Sequence, residues 1–189
     1  MNSLAALGIC GSLRRGSYNL KLLKRALSIA DEEGVSVGSV DQKIMNLPLY
    51  NADLEAAGVP EAVQTLKSMI EACDVLLIAS PEYNYSMSGT LKNAIDWVSR
   101  IKPNPFSGKV AAIFGASTGV MGTGRGQLQL RQVLLAVDVL VLPQPQLFLS
   151  LADDNSFDKD GMLKNKVMEH QLRELLRATF KYAQKVINK

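Results

Sequence analysis

Residues 74–81 read DVLLIASP, an apolar, β-branched run with no polar alternation that ends at a proline. Successive side chains of a strand point to opposite faces, and here almost all of them are apolar, so such a strand has to be covered on both sides. SLAALGIC at 3–10, KVAAIFGAS at 109–117 and VDVLVLP at 137–143 share the pattern, and VSVGSVD at 35–41 reads as another strand. Helical periods lie between them. NLKLLKRALSIADEEG at 19–34 sets Leu20, Leu23 and Leu27 on one stripe, with Gly34 as the stop. Pro60 opens a helix through about Ala72. Another helix spans roughly Ser88 to Arg100 and is closed by KPNPFSG, a third lies near Gln127 to Ala136, and a terminal helix runs from about Leu163 to Ile187. LPLYNADLEAAGVP at 47–60 reads as a loop and QLFLSL at 146–151 as a sixth extended piece. Strands alternating with helices specify an α/β fold built on a parallel sheet covered on both faces.

The 189 residues suffice for one well-buried core and no repeat or linker divides them, so residues 1–189 are expected to form a single domain. Hydrophobic residues at 47 % and charged residues at 21 % exclude a disordered chain. No apolar run approaches the roughly 18 residues of a spanning helix, and the N-terminus lacks a signal-peptide pattern, so no membrane partner and a cytoplasmic location are expected. Cys10 and Cys73 sit inside apolar runs and are expected as buried thiols. With a single histidine, His170, and no C-x-x-C pair, no metal site is expected. The formal net charge is +3, and Arg14, Arg15, Lys21, Lys24 and Arg25 form a basic stretch suited to phosphate or an anionic substrate. Nucleic acid would need a broader basic face with interleaved aromatics, which at 6 % are scarce.

In a sheet of this kind ligands bind outside the carboxyl ends of the strands. Three loops that leave strand ends carry unusual chemistry. GSLRRGSYN at 11–19 follows a strand and opens a helix, so backbone amides can face an anion while Ser12, Ser17, Asn19 and Arg14 add donors. A Walker loop and the dinucleotide fingerprint are both absent. The bland alternative is a polar turn in which Ser17 or Asn19 caps the helix. SPEYNYSMSG at 80–89 puts Pro81, Glu82, Tyr83, Asn84 and Tyr85 after the strongest strand, a set suited to the walls and edge of a flat ring, or to a subunit interface. Trp97 and Ile95, farther along, read as core. GASTG at 115–119 matches the G-x-S-x-G nucleophile elbow of serine hydrolases, with Asp153 or Asp154 and then His170 in the right chain order. His170, however, reads as mid-helix. In the competing reading Ser117 and Gly119 approach the edge of the same bound ring.

Taken together, GSLRRGSYN, PEYNYSMSGTLKNAIDW at 81–97 and GASTGVMGTGRGQLQLRQ at 115–132 make the chain similar to the NADPH-dependent FMN reductase family of flavodoxin-like proteins, in particular its chromate and quinone reductase branch. The resemblance covers nearly the whole chain. It implies a three-layer flavodoxin-like sandwich with a five-stranded parallel sheet of order 2-1-3-4-5, noncovalent FMN, NADPH or NADH as co-substrate, and homodimers or homotetramers. It also implies that Ser12, Arg14, Ser17 and Asn19 hold the FMN phosphate, that Pro81, Glu82, Tyr83, Asn84 and Tyr85 line the isoalloxazine, and that Ser117 and Gly119 lie on its other side. No catalytic side chain is implied, since the flavin carries the chemistry. The acceptors implied are quinones or other small oxidants such as free flavin, azo compounds and chromate. Besides the serine hydrolase, a flavodoxin-type electron carrier is the other alternative, although carriers of that kind are acidic and this chain is mildly basic.

Overall fold

The computed structural model describes residues 4–187, so the expected start of the first strand at Ser3 lies outside the described residues. In chain order the elements are β1 (Ala5–Cys10), α1 (Tyr18–Glu32), β2 (Ser36–Ser39), α2 (Ala52–Ala57), α3 (Glu61–Glu71), β3 (Val75–Ala79), β4 (Glu82–Tyr83), β5 (Ser86–Met87), α4 (Gly89–Arg100), β6 (Val110–Ala116), α5 (Gly124–Ala136), β7 (Leu140–Val141), β8 (Leu147–Leu149) and α6 (Lys166–Ile187).

All ladders of the main sheet are parallel, in the order β2-β1-β3-β6-β7. Counting β6 as the fourth strand, this is the flavodoxin-like order 2-1-3-4-5. Alternation along the strands explains the two cores. Val75, Leu77 and Ala79 of β3, with Val110, Ala112 and Phe114 of β6, pack against Leu22, Leu23 and Ile29 of α1 and Leu172, Leu176 and Phe180 of α6. Leu76 and Ile78, with Ala111 and Ile113, pack against Leu66 and Ile70 of α3, Leu91, Ile95 and Trp97 of α4, and Leu130 and Leu134 of α5. A strand that is apolar at every position therefore has a helix layer on each side.

Several expectations need correction. QLFLSL is the expected sixth extended piece, β8, though it takes no new position across the sheet: β7 pairs Val110 and Ala111 while β8 pairs Phe114 to Ala116, so the two share the flank of β6. Pro143 and Pro145 lie between them, and proline has no N–H to give to a ladder, so the expected strand 137–143 shrinks to Leu140–Val141. The segment read as a loop at 47–60 holds α2, capped by Asn51, whose Oδ1 accepts from the N–H of Asp53 at 2.7 Å. No residue of α2 is buried, so there was no apolar stripe to reveal it. Arg25 does not belong to a surface basic patch. It is buried on α1, where its Nε donates to Glu169 Oε1 of α6 at 3.0 Å and its Nη1 donates to Glu32 Oε1 at 3.0 Å. Cys10 and Cys73 are both buried free thiols, and burial pushes Cys73 up to about 11. Among the described residues no helix is long and apolar enough to cross a membrane, and no group of three or more His, Cys, Asp or Glu side chains could hold a metal ion.

A cleft at the carboxyl ends of the central strands

From β1 the chain moves to β2 on one side and then crosses to β3 on the other, so the strand order reverses beside β1. The carboxyl ends at such a switch point leave a crevice between diverging loops. Here the loops after β1, β3 and β6 enclose a cleft of about 380 Å³. Ser12, Arg14, Ser17 and Asn19 line it from the first loop, Pro81, Glu82 and Tyr83 from the second, and Ser117 from the third. Asn84, Tyr85 and Gly119 do not line it. Tyr18, Ala116 and Thr118 do, and the sequence reading passed over them. Tyr18 and Thr118 each lie inside a quoted motif, so their position next to Ser17 and Ser117 was the available signal.

Ser17 is the N-cap of α1, its Oγ accepting from the N–H of Leu20 at 3.2 Å. Capping uses the hydroxyl oxygen as acceptor, and Ser17 lines the cleft beside first-turn amides that have no intrahelical partner. Ser12 is 4 % exposed, and its carbonyl accepts from Gln42 Nε2 at 2.6 Å, which fixes the loop from the far side. Asn19 bonds the end of β6 in both senses. Its Nδ2 donates to the Ala116 carbonyl and its Oδ1 accepts from the Ala116 N–H, each at 2.9 Å. That buried pair joins the first loop to the third. Arg14 is exposed, with its guanidinium 4.8 Å from the centre of the Tyr18 ring, and the Tyr18 hydroxyl donates to Asp154 Oδ1 at 3.2 Å.

The second loop is a hairpin. β4 and β5 pair antiparallel through Glu82↔Met87 and Tyr83↔Ser86, and the two turn residues Asn84 and Tyr85 have φ of 49° and 68°. Two positive φ values in succession make a type I′ turn, whose twist matches that of its strands. This turn carries Asn84 and Tyr85 out of the cleft. The Tyr85 ring is 64 % exposed and lies 4.1 Å from the Arg125 guanidinium. Glu82 reaches the other way: its Oε2 accepts from the N–H of Gly126 at 2.7 Å. Thr123, the N-cap of α5, makes no side-chain capping bond, so the hairpin carboxylate caps that helix from outside and also complements its dipole. Hairpin and helix approach closely at this point. A Cβ on Gly126 would lie 3.0 Å from the Ser86 carbonyl oxygen.

In the third loop the Ser117 N–H donates to the Leu149 carbonyl at 2.9 Å, and its Oγ accepts from the Gly119 N–H at 3.1 Å. The serine hydrolase reading finds no support here. Asp153 accepts from the Ser156 hydroxyl, which holds its carboxyl below the usual range, and Asp154 accepts from Tyr18. His170 is exposed on α6, and among the described residues no hydrogen bond joins it to Ser117 or to either aspartate. A nucleophile elbow also turns sharply into its helix, whereas α5 starts only at Gly124, past the end of the GASTG motif at Gly119.

Residues 4–154 match the family described as NADPH-dependent FMN reductase. The chain is 48 % identical over 175 residues to an NAD(P)H-dependent FMN reductase of Pseudomonas aeruginosa, covering 93 % of this chain and 90 % of that protein. It is 43 % identical over 175 residues to an NAD(P)H:quinone oxidoreductase of Solanum tuberosum, covering 90 % and 88 %. Among solved structures it is similar to FerB, a flavoenzyme NAD(P)H:(acceptor) oxidoreductase from Paracoccus denitrificans, with a TM-score of 0.86 and 33 % identity over 96 % of this chain and 98 % of that one.

Proposed function

The chain belongs to the NADPH-dependent FMN reductase family, and on that premise we propose that it oxidises reduced nicotinamide dinucleotides and passes two electrons to quinones and similar small oxidants. The observation that carries this reading is one cleft uniting a polar loop at a helix N-terminus with a proline and tyrosine wall. Those are the two halves of a flavin mononucleotide, a phosphate and a flat ring. About 380 Å³ lies at the small end of ligand clefts, which run from about 300 to 1000 Å³.

The residues present fit that group. Ser12, Ser17 and Arg14, with the first-turn amides of α1, would hold the phosphate. Pro81 and Tyr83 would cover the ring on one side, with Ser117 and Thr118 on the other. FMN, when bound, supplies acceptance of a hydride from the nicotinamide and release of electrons to the acceptor. The chain itself has to orient and enclose. Asn19 fixes the first loop to β6, and Glu82 fixes the hairpin to α5, so the walls are set before any ligand arrives. Asn84, Tyr85 and Gly119 stand at the rim in this reading, not against the ring.

Three finer statements belong to the same proposal. The chain assembles as a dimer or tetramer, supported by exposed Leu128 and Leu135 on a face of α5 that carries no carboxylate. Residues 1–189 act as one FMN-binding domain, supported by α6, which lies past the family match yet shares the core of β3 and β6. A cytoplasmic setting accords with two unpaired thiols.

The test starts with the purified protein. Heat denaturation should release a flavin that chromatographs as FMN, and steady-state oxidation of NADPH with a quinone should give the parallel double-reciprocal lines of ping-pong kinetics. Protein that takes up no added FMN, or that binds it but oxidises neither NADPH nor NADH, overturns the reading.

A further inference from the structure

Arg14 is exposed and its side chain makes no hydrogen bond or ion pair among the described residues, whereas Arg25, Arg173 and Arg177 are each matched to carboxylates. It is nonetheless held. The guanidinium lies 4.8 Å from the centre of the Tyr18 ring, and a Cβ on Gly16 would lie 3.9 Å from its Nη1, so the side chain folds back over its own loop. Tyr18 is anchored independently of it. Tyr18 is the first residue of α1, directly after the Ser17 cap, and its hydroxyl donates to Asp154 Oδ1 at 3.2 Å. Asp154 thus meets the far end of the ring, and among the described residues no ion pair joins it to Arg14. Lys21 Nζ also lies 5.5 Å from that ring, but Arg14 and Tyr18 line the cleft and Lys21 does not.

A free arginine side chain spreads over many rotamers, and a ligand that uses it has to order it first, at a cost in affinity. A guanidinium laid on an aromatic face is already ordered, and its in-plane N–H fork stays at the edge, the geometry that suits phosphate oxygens. We infer that Tyr18 is a positioning residue for FMN, its ring holding the Arg14 guanidinium in the phosphate-binding orientation before the cofactor arrives. The inference rests on the reading of the cleft as an FMN site with its phosphate end at the start of α1. The ring carries this role, not the hydroxyl, and it acts only through Arg14. The Tyr18 backbone N–H is a separate first-turn donor that every side-chain variant keeps.

The experiment measures dissociation constants of FMN and riboflavin for the full chain stripped of flavin. Tyr18→Leu should weaken FMN binding about two- to fivefold, the scale of an exposed cation–π contact, and leave riboflavin binding unchanged. In an Arg14→Ala background the same substitution should have no further effect, because the group it positions is gone. Tyr18→Phe, which keeps the ring, should bind FMN within about twofold of wild type. Pentafluorophenylalanine at position 18 keeps the shape of that ring and reverses its quadrupole, so it should bind FMN as weakly as Tyr18→Leu. Comparison of these two aromatic variants also decides the matter if Tyr18→Leu does not fold. Unchanged FMN affinity in Tyr18→Leu or the fluorinated variant, an equal loss for riboflavin, an undiminished loss in the Arg14→Ala background, or Tyr18→Phe as weak as Tyr18→Leu overturns the inference. Wild-type protein that binds FMN no tighter than riboflavin overturns the phosphate-loop reading itself, and the role of Tyr18 with it.

Discussion

Arg14, Ser17 and Asn19 stand within six residues of one another, yet they can be told apart by what each already touches. The Asn19 amide is engaged with Ala116 at both ends, and the Ser17 oxygen accepts from Leu20, while Arg14 stacks on Tyr18 and keeps its donors for a ligand. Arg14→Ala should therefore weaken FMN binding by about 1–3 kcal/mol, the range for a hydrogen bond to a charged group, and leave riboflavin affinity nearly unchanged. Fluorescence titration with both ligands measures the difference, and equal losses would place Arg14 in the scaffold. At this scale the sequence showed which residue types gather at the strand ends but not which way each side chain turns. Tyr83 and Tyr85 flank one asparagine and look equivalent in the chain. A type I′ turn, which only backbone angles reveal, sends Tyr83 to the cleft and Tyr85 to Arg125.

Between elements, Gly115 shows how a motif can be real and its usual meaning absent. A Cβ there would sit 2.2 Å from the Ser80 carbonyl oxygen and 2.6 Å from Thr123 Oγ1, because the end of β3, the end of β6 and the start of α5 converge on that atom. Backbone cannot rotate away as a side chain can, so Gly115→Ala should cost about 3 kcal/mol, the upper end for overpacking. Gly119→Ala, whose nearest neighbour would be Ser117 Oγ at 3.5 Å, should stay within about 0.5 kcal/mol. Urea midpoints for the two variants decide it, and similar losses at both positions would defeat the packing account of GASTG. The long elements were legible because burial on one or both faces leaves a period in the sequence. β4, β5 and α2 were not, since two-residue strands and a helix with no buried face leave none. The split of the fifth position into β7 and β8 was half visible: the prolines were there to read, but pairing of both pieces with β6 is a tertiary fact.

For the molecule as a whole, the alternation of strands and helices yields a covered parallel sheet, whereas the strand order came from the family resemblance and could not have come from local pattern. The same limit hid the tie between α1 and α6, because Arg25 and Glu169 are 144 residues apart and each looks like an ordinary surface charge. Inside the fold, Glu169 accepts from buried Arg25 and also pairs with Arg173 at 3.4 Å, while Glu32 accepts from Arg25 at 3.0 Å and from Arg173 at 2.7 Å. Removing one partner of a buried pair leaves the other charge uncompensated, so Glu169→Gln should destabilise the protein at pH 7 by about 3 kcal/mol, the lower end for such a loss because Glu32 remains. Glu32 responds to pH in a stated direction. Arg173 first, and then Arg25, holds its carboxyl below the ordinary value of 4.5. A carboxylate depressed in the folded state contributes stability above its unfolded value and loses it as pH falls through the folded one. Glu32 is about half exposed, which limits the contribution to under about 1 kcal/mol. Urea denaturation of wild type and Glu32→Gln should therefore differ by that small amount at pH 7 and converge as pH drops below 4.5. A gap that widens on acidification would mean that Glu32 is not stabilised by these arginines, and that the tie between α1 and α6 rests on Glu169 alone.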